Sequence, residues 1–378
     1  MAITETTTVS WGSRLGSAFK GVLVGVILFL IAFPVLFLNE GRAVKATKTN
    51  KEGASSVVEA LADKVDPAQE GCLIHVVGDA TTSDVLTNAV YGVGAMAFRL
   101  TRTTEMYQWV ENSETTEEKK LGGKVERKTV YTYESEWCDS AVDSSRFHDK
   151  QKINPPARCE LGEKSELAKN ARLGVRRLGE RQIARISGAE TLKTLYQPVT
   201  TNEFFEVSGE VPQPRIGDVR VTFTVVRAPK EITVVAAQKG DGFMSYTAKS
   251  TKSTIDHLMS GAIDAEGVFA AAERGNKMLT WLLRFGGFLL MFIGLSMVFK
   301  PLSVLADVVP FIGNLVSLGT GFIAALIACG ASLFTIAVAW IFYRPLLGIL
   351  LIVVATALVV FVVVKLTAKK KPSSGAFA

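Results

Sequence analysis

Hydrophobic and polar positions are unevenly distributed along this chain of 378 residues. Residues 21–38 (GVLVGVILFLIAFPVLFL) carry no charge, and the chain is again almost free of charge after Leu279. A helix rises about 1.5 Å per residue, so the first segment is long enough to cross most of a ~30 Å hydrocarbon layer. We therefore predict an N-terminal tail over residues 1–20 and a first transmembrane helix over residues 21–38.

A cleaved signal peptide is the alternative interpretation of this first apolar segment. The apolar core of a signal peptide is usually about 7–15 residues long. No small-x-small cleavage site precedes the sequence Asn39-Glu40-Gly41-Arg42. These two features favour an uncleaved anchor, which Pro34 can kink.

The C-terminal region predicts three further spans. The second span covers residues 277–300 and is followed by an apolar linker over residues 301–313, which we expect at the membrane interface. Charge-free stretches then predict a third span over residues 314–342 and a fourth over residues 345–365. All four are interpreted as helices, because backbone amides in lipid must be satisfied within the segment. A Lys-rich tail follows over residues 366–378.

Polar and aromatic residues at the ends of these spans are candidates for membrane anchoring. An arginine close to a helix end can extend its charge to the lipid headgroups, and aromatic side chains favour the same interface. We therefore predict anchoring by Trp281, Arg284, Tyr343 and Arg344. An ion path that uses Arg284 is the alternative.

The polar region over residues 39–276 predicts a single extramembrane domain of the α+β class. The runs Glu105–Val110 and Thr129–Trp137 alternate with period two, which predicts strands on either side of the polar sequence ENSETTEEKKLGGK, interpreted as a long hairpin loop. The run Leu161–Ile186 has the spacing of a charged helix. Further strands are predicted at Cys72–Val77, Asn202–Val207, Asp218–Val226, Glu231–Ala237 and Phe243–Thr247, and further helices at Ala54–Val65 and Ile255–Arg274.

Aromatic residues line one side of the two alternating runs. They are a candidate interaction surface formed by Tyr107, Trp109, Tyr131, Tyr133 and Trp137. Aromatic side chains at this spacing also form cross-strand cores, which is the alternative interpretation.

Candidate chemistry is sparse in this sequence. The three histidines have no second ligand at metal-binding spacing, and we predict no catalytic, cofactor-binding or metal-binding residues. The sequence Gly92-Val93-Gly94-Ala95-Met96-Ala97 matches a loose dinucleotide fingerprint, but an extended run follows it, so we interpret it as a turn. Glu105, Glu134 and Glu136 could form a carboxylate set for glycoside chemistry, but we favour the interpretation that they belong to a solvated strand face.

Charge and cysteine content narrow the classes of partner. The net charge is +6, and its basic residues cluster beside the apolar segments, which favours anionic headgroups as partners. No basic stripe with interleaved aromatics is present, so we predict no nucleic-acid binding. Three of the four cysteines lie in the polar region, which allows one disulfide there, and Cys138 with Cys159 is the candidate pair.

Short motifs in a shared order connect this sequence to a known family. They include Asn39-Glu40-Gly41-Arg42-Ala43 after the first span, Met106-Tyr107-Gln108-Trp109-Val110-Glu111, Tyr131-x-Tyr133-x-x-x-Trp137, Phe147 with Asn154-Pro155, Gly217-Asp218-x-Arg220-Val221-x-Phe223, Gln238-x-Gly240-Asp241, Asn276-x-Met278-x-Thr280-Trp281-x-x-Arg284-x-x-Gly287, and Tyr343-Arg344-Pro345-Leu346. With these motifs the sequence resembles the transmembrane protein forty-three family, also called LUMA, from Gly21 to about Leu350.

The resemblance implies four spans and a large domain that faces the lumen, or the periplasm in a bacterium. It also implies a role in organising membrane protein complexes, self-association, and no established catalytic residues. For a eukaryotic host it implies the endoplasmic reticulum and inner nuclear membrane, and for a bacterial host we expect the inner membrane. The Arg-rich segment from Ala157 to Tyr196 departs from the family pattern, so partner binding is not transferred from it.

Together these features predict a multi-pass scaffold rather than an enzyme. Its expected partners are the lipid bilayer, other copies of the chain and other membrane proteins. Two alternatives are a channel or transporter built on the C-terminal helices, and a membrane-bound enzyme that acts on lipid or envelope material.

Overall fold

The computed structural model describes residues 2–210 and 213–345, which form two compact units. The first, here called the sheet unit, consists of the described residues within Met1–Val9, Lys48–Glu118 and Val125–Ala272. The second, the helix unit, consists of the described residues within Ser10–Thr47, Lys119–Lys124 and Glu273–Ala378. Short pieces that are distant in sequence therefore belong to the same unit.

Three long helices account for most of the helix unit. The four α-helices in the described residues are α1 (Trp11–Ser56), α2 (Glu180–Ile183), α3 (Ala265–Ala306) and α4 (Pro310–Tyr343). By length and apolar composition, α1, α3 and α4 can each cross a membrane. They contain the first three predicted spans. The described chain thus has three span-like helices where the sequence predicted four, and the fourth predicted span, over residues 345–365, lies outside the described residues from residue 346 onward.

Small residues allow α1 and α3 to pack closely in an antiparallel pair. A Cβ atom added to Gly25 would lie 2.5 Å from the carbonyl oxygen of Gly294, and one added to Gly287 would lie 2.3 Å from Leu36. The contact at Gly25 is with backbone and is too short for any larger side chain, whereas a larger residue at Gly287 would require the Leu36 side chain to move. Gly21, one turn before Gly25, also faces α3, where its nearest neighbour is Met297.

Helix covers most of the predicted interfacial linker over residues 301–313. The helix α3 continues through Pro301 to Ala306, and α4 begins at Pro310. Only residues 307–309 connect the two helices. Proline at the first position of a helix leaves no amide unsatisfied, which explains the start of α4 at Pro310.

Seventeen strands are present in the described residues. In chain order they are β1 (Ile3–Val9), β2 (Val58–Glu59), β3 (Leu73–Thr82), β4 (Val85–Asn88), β5 (Val93–Lys119), β6 (Val125–Cys138), β7 (Gly162–Leu167), β8 (Ala171–Leu173), β9 (Arg176–Arg177), β10 (Glu190–Gln197), β11 (Phe205–Glu206), β12 (Val219–Arg227), β13 (Lys230–Lys239), β14 (Gly242–Met244), β15 (Tyr246–Thr247), β16 (Thr254–Ile255) and β17 (His257–Ser260).

The strands form two large sheets and one small one. The eight-stranded sheet has the order β1-β6-β5-β12-β10-β11, with β4 and β7 also paired to β5. The seven-stranded sheet has the order β17-β13-β14-β9-β8-β3-β2, and β15 pairs with β16. From Ile232 to Gln238, β13 is buried at every position, so this central strand is covered on both faces. The sheet unit is therefore strand-rich.

Three predictions for the sheet unit are wrong. The predicted helix Leu161–Ile186 contains the strands β7, β8 and β9 and only the four-residue helix α2. Gly162 and Gly174 have φ values of 100° and 57°, and these left-handed positions break a helix. The predicted helix Ala54–Val65 ends at Ser56 and continues into β2. The predicted loop over residues 111–124 is mostly strand, because β5 extends to Lys119 and leaves a short turn.

The start of the predicted helix Ile255–Arg274 also differs, since β16 and β17 precede α3. Most other predicted strands are present with shifted ends. Of the predicted run Asn202–Val207, only Phe205–Glu206 is a strand. Cys138 and Cys159 are free thiols, so the candidate disulfide is not formed.

Candidate functional site

A fully buried carboxylate lies where α1, α3 and α4 meet. The side chain of Glu40 on α1 has no exposed surface. It accepts two hydrogen bonds from Arg284 on α3, from Nε at 2.6 Å and from the second guanidinium nitrogen at 2.9 Å. The indole Nε1 of Trp340 on α4 donates a third hydrogen bond at 2.8 Å. One carboxylate therefore joins all three long helices.

Aromatic rings surround the cation of this ion pair. The Arg284 guanidinium lies 4.9 Å from the ring centre of Trp281 and 5.6 Å from that of Trp340. Its side chain is 15% exposed. A planar guanidinium can bind a carboxylate in a bidentate manner and contact aromatic faces at the same time, which lysine cannot do. Arg284 is thus held inside the helix unit by specific partners.

A polar network continues from this ion pair along α1 and α3. Arg42 donates to Asn39 Oδ1 at 3.2 Å, to Asn276 Oδ1 at 3.1 Å and to Thr280 Oγ1 at 2.9 Å. Asn39 Nδ2 donates to the carbonyl oxygen of Thr280, and Asn276 Nδ2 donates to that of Ala43. Each of these side chains satisfies its neighbours, as buried polar groups require.

Gly41 brings α4 close to this network. A Cβ atom at Gly41 would lie 2.6 Å from the Tyr343 ring, so the aromatic ring rests directly on the glycine backbone. Phe37, one turn earlier on α1, packs against the same ring at 5.1 Å between centroids. We call the group Asn39, Glu40, Gly41, Arg42, Asn276, Thr280, Arg284, Trp340 and Tyr343 the polar layer.

A second buried carboxylate lies at the other end of α1. Asp307 is 1% exposed and pairs with Arg14 and, at 2.7 Å, with Lys119 Nζ. Trp11 Nε1 donates to the carbonyl oxygen of Val304 beside it. Residues 14 and 40 are 26 positions apart on α1, which corresponds to about 39 Å.

The two ionic sites have a clear physical consequence for a membrane helix bundle. A hydrocarbon layer is about 30 Å thick, so it fits between them. Ionisable groups in membrane helices face the protein interior and pair with one another, because an unpaired charge in lipid is costly. The arrangement fixes the positions of the helices along their axes. No cluster of three or more histidine, cysteine, aspartate or glutamate residues suited to a metal occurs in the described part of the chain.

The predicted interaction surface lies on one face of β5 and β6. Tyr107 packs against Trp137 at 5.2 Å between ring centres, and the Lys152 ammonium lies 3.6 Å above the ring of Trp109. Tyr131 stacks on His148 at 3.6 Å. All five predicted aromatic residues are half-buried, and each ring contacts neighbours within the sheet unit. The structure therefore brings them together, while their role in partner binding stays a prediction.

Tyr133, the fifth aromatic residue, belongs to a small hydrogen-bond cluster. Its hydroxyl donates to Glu111 Oε2 at 2.6 Å, and the same carboxylate accepts from the backbone amide of His148. Burial and the Glu111 carboxylate raise the pKa of Tyr133 to about 12. Burial alone would raise the pKa of Glu111. The hydrogen bonds from Tyr133 and His148 outweigh this effect, and the net result is a pKa below the ordinary value. The tyrosine thus stays protonated and the glutamate ionised.

The remaining candidate residues are divided between different parts of the structure. Glu105 pairs with Arg220 at 2.8 Å, whereas Glu134 and Glu136 are exposed on the other face of β6. The predicted turn around Gly92 is the β4–β5 hairpin, in which Asn88 pairs with Val93. The predicted anchoring residues differ in environment: Trp281 is 67% exposed, and Tyr343 and Arg344 are half-buried. Anchoring at the membrane surface stays a prediction for these residues and for Arg284.

Sequence reasoning missed most of the polar layer as a site. It placed Glu40, Arg42 and Asn276 in family-like motifs but assigned them no role. A detectable signal was present, because a glutamate at the end of one span and an arginine near the start of the next are opposite charges that antiparallel helices bring together. Trp340 gave no signal, since a tryptophan near the end of a span is common.

Comparisons with known proteins agree with this architecture. The family model described as Transmembrane protein 43 matches residues 106–345. Transmembrane protein 43 of Mus musculus is 34% identical over 94% of this chain and 93% of the mouse protein. The Homo sapiens protein is 32% identical over the same shares, and the homolog of Drosophila melanogaster is 28% identical over 90% of this chain and 93% of the fly protein.

No solved structure matches this chain at a significant level. The family match covers more than half of the chain, and the mammalian relatives align over nearly its whole length. Together with the three span-like helices, these similarities identify an integral membrane protein that belongs to the transmembrane protein 43 family.

Proposed function

We propose that this chain is a membrane-anchored scaffold, in which the long helices hold the sheet unit at a bilayer and that unit binds other proteins or further copies of the chain. One observation carries the proposal. Strand β1 is the last strand of the eight-stranded sheet, and among the described residues it pairs only with β6. Its outer edge presents unpaired backbone groups to solvent.

The composition of β1 supports strand addition by a partner. Its sequence ITETTTV has one charge and no proline, and its five central residues are exposed. Edge strands are usually protected by charged residues, proline or bulges, and an unprotected edge is a template for another strand. Threonine-rich strands have high β propensity, and added strands gain affinity from main-chain hydrogen bonds.

The helix unit supports the anchoring half of the proposal. The Glu40–Arg284 and Asp307–Arg14 pairs hold three long helices in register, as a stable anchor requires. Localisation in the bacterial inner membrane for a bacterial host, or in the endoplasmic reticulum and inner nuclear membrane for a eukaryotic host, is part of the proposal. The family description names no enzymatic activity, and the proposal assigns none.

The test is crosslinking in native membranes, followed by purification in mild detergent and measurement of what copurifies and in what ratio. We expect crosslinked complexes with the natural chain and a loss of most of them when Thr4 and Thr6 are both changed to lysine. The matched control changes Thr200 and Ser208 to lysine, which adds the same charge outside the strands.

Unchanged complexes in the β1 variant would reject this edge as the binding surface. Equal losses in the β1 variant and in the control would show that added charge, rather than the strand edge, is responsible. A natural chain that purifies alone and as a monomer after crosslinking would reject the scaffold role itself.

A further inference from the structure

A small cavity with both charged and apolar lining residues opens beside β5 in the sheet unit. Its volume is about 160 Å³, and Asn88, Leu100, Arg102, Lys164, Glu166 and Phe223 line it. Strand pairing explains why these side chains meet. Arg102 lies opposite Lys164 on β7 and opposite Phe223 on β12, so all three project from one face of the sheet.

Buried polar atoms without partners concentrate at this cavity. Six such side-chain atoms occur in the described residues, and two of them, Asn88 Oδ1 and Arg102 Nε, belong to the cavity lining. A third, Thr104 Oγ1, belongs to a fully buried residue two positions further along the same face of β5. Buried polar groups are nearly always hydrogen-bonded, so this concentration points to a polar occupant.

The cavity lining carries two cations, Arg102 and Lys164, and one anion, Glu166, so its net positive charge favours an anion. Arg102 and Lys164 are directly opposite each other on neighbouring strands, and like charges in that position repel. Lys164 has a partner in Glu160 at 2.6 Å, which is itself exposed. Arg102 makes no ion pair within the described residues, although its charge acts on the exposed Glu160, and its guanidinium lies 5.9 Å from the ring centre of Tyr91. An anionic group at Arg102 would remove the repulsion and satisfy its Nε donor.

The remaining lining defines the rest of the ligand. Leu100 and Phe223 provide an apolar wall, and both are almost fully buried. The Asn88 amide, whose Oδ1 is buried without a partner, can accept or donate a hydrogen bond in the same space. At roughly 30 Å³ per water, the cavity has room for about five waters, or for a molecule of roughly five to eight non-hydrogen atoms.

We propose that this cavity binds a small carboxylate, such as an α-amino acid or a hydroxy acid, with the carboxylate group at Arg102 and a second polar group at Asn88. This site is separate from the β1 edge and does not depend on the scaffold role. The α-amino acid would place its ammonium group towards Asn88 and Glu166, and the hydroxy acid would place its hydroxyl there.

The test measures thermal unfolding and equilibrium dialysis of the full chain in detergent with L-alanine and L-lactate, at constant ionic strength. Lactamide and alaninamide are the matched probes that lack the carboxylate. We expect at least one carboxylate to bind in the millimolar range and to raise the unfolding temperature with concentration, as a ligand of the folded state does, and the amides to have no effect. If L-alanine binds more tightly, the second polar group of the ligand is an ammonium group, and if L-lactate binds more tightly, it is a hydroxyl.

Arg102→Gln should weaken this binding roughly ten- to a hundredfold, because a charge-assisted hydrogen bond is lost. The control Arg99→Gln changes an arginine on the same strand that instead donates to the carbonyl oxygen of Ala184, and it should bind as the natural chain does. If Arg102→Gln does not fold, Asn88→Asp is the second variant, since its carboxylate should repel the ligand.

Several outcomes would overturn the proposal. If neither carboxylate binds, water alone fills the cavity and the proposal is wrong. The proposal is also wrong if the amides bind as well as the acids. It is equally wrong if binding is the same in the natural chain and in the folded variants at Arg102 or Asn88. Loss of complexes in the β1 edge variant has no bearing on this result, so the two proposals fail independently.

Discussion

Arg284 and Arg176 are both buried arginines, but the chain accommodates their charges in different ways. In the helix unit, Arg284 faces the carboxylate of Glu40 and two indole rings. In the sheet unit, Arg176 is fully buried, and its acceptors among the described residues are all neutral: Gln238 Oε1 at 2.8 Å and the carbonyl oxygens of Leu61 and Lys64. One charge is neutralised, and the other is only solvated by the protein.

The backbone around each arginine explains the difference. Carbonyl oxygens inside a helix already accept hydrogen bonds from the next turn, so α1, α3 and α4 offer few free acceptors. Leu61 and Lys64 lie in an irregular segment whose carbonyl oxygens are free to turn towards the guanidinium. Loops in the sheet unit can therefore hold a buried cation with backbone carbonyl oxygens, whereas in the helix unit the acceptors come from side chains: the Glu40 carboxylate for Arg284, and the oxygens of Asn39, Asn276 and Thr280 for the half-buried Arg42.

The largest effect is expected from Glu40→Gln. This change leaves Arg284 buried without its counter-charge, which typically costs about 3–5 kcal/mol in the free energy of unfolding. Thermal or denaturant unfolding in detergent measures the cost. The double variant Glu40→Gln with Arg284→Gln should recover part of the loss, because no uncompensated charge remains. Arg344→Gln is the control, since that arginine has no carboxylate partner among the described residues. Natural stability in Glu40→Gln would contradict burial of the pair.

Removal of the second arginine by Arg176→Met should cost about 2–3 kcal/mol in the free energy of unfolding. The change leaves the carbonyl oxygens of Leu61 and Lys64 and the Gln238 amide oxygen without their donor. The same unfolding experiment measures it. Arg177→Met is the control, because Arg177 pairs with Asp241 at the exposed surface and its loss should cost at most about 1 kcal/mol. If Arg176→Met matches this control, neutral acceptors contribute nothing, and the comparison fails.

Gly41→Ala should cost about 1–3 kcal/mol, because the added methyl group would collide with the Tyr343 ring and shift α4 away from the polar layer. The cost should shrink in a Tyr343→Ala background, which removes the obstacle. Gly286→Ala is the matched control in α3, where nothing lies within 4 Å of the added atom. Equal effects at the two glycines would show that helix propensity, rather than contact with α4, determines the result.

The smallest effect concerns His257 in the sheet unit. Burial there shifts the pKa of the side chain instead of providing its charge with a partner. Burial, together with the nearby Arg185 charge, lowers its pKa below the ordinary value of 6.5. The unfolded chain therefore binds a proton at higher pH than the folded chain does. As the pH falls below 6.5, stability should decrease until the folded-state pKa is reached.

Unfolding curves over this pH range, compared between the natural chain and His257→Gln, test this response. The difference between the two should be constant at higher pH and should change only as the pH falls below the ordinary histidine value. A difference that is independent of pH throughout would mean that His257 is protonated equally in both states.

The sequence predicted those segments well whose environment allows only one structure, and it failed where a local pattern fits more than one structure. Residues 21–38 could be recognised as a span because such a long uncharged, apolar segment is stable in a lipid bilayer rather than in water. The helix predicted over Leu161–Ile186 failed because its leucine and isoleucine spacing fits several short strands as well as one helix. Gly174 decides between them through its contact with Ala62, which is distant in sequence and cannot be read from local pattern.

The sites follow the same rule. Glu40 and Arg284 were visible as opposite charges beside neighbouring spans, although their bidentate geometry and the bond from Trp340 depend on helix rotation. Arg102 gave no signal, because its exceptional feature is an unsatisfied Nε atom that results from the pairing of β5 with β7 and β12. Local sequence shows which charges exist, and only the tertiary structure shows which of them lack partners.

The turn that joins β5 and β6 has a practical consequence for tagging experiments. Such a polar, glycine-containing tip is normally a preferred place for an epitope or a fluorescent protein. Here Gly123 has a positive φ and lies against the indole of Trp11, while Gly122 donates its amide to the carbonyl oxygen of Val308. An inserted tag would have to displace these contacts, so labels for microscopy or pull-down belong elsewhere on the chain.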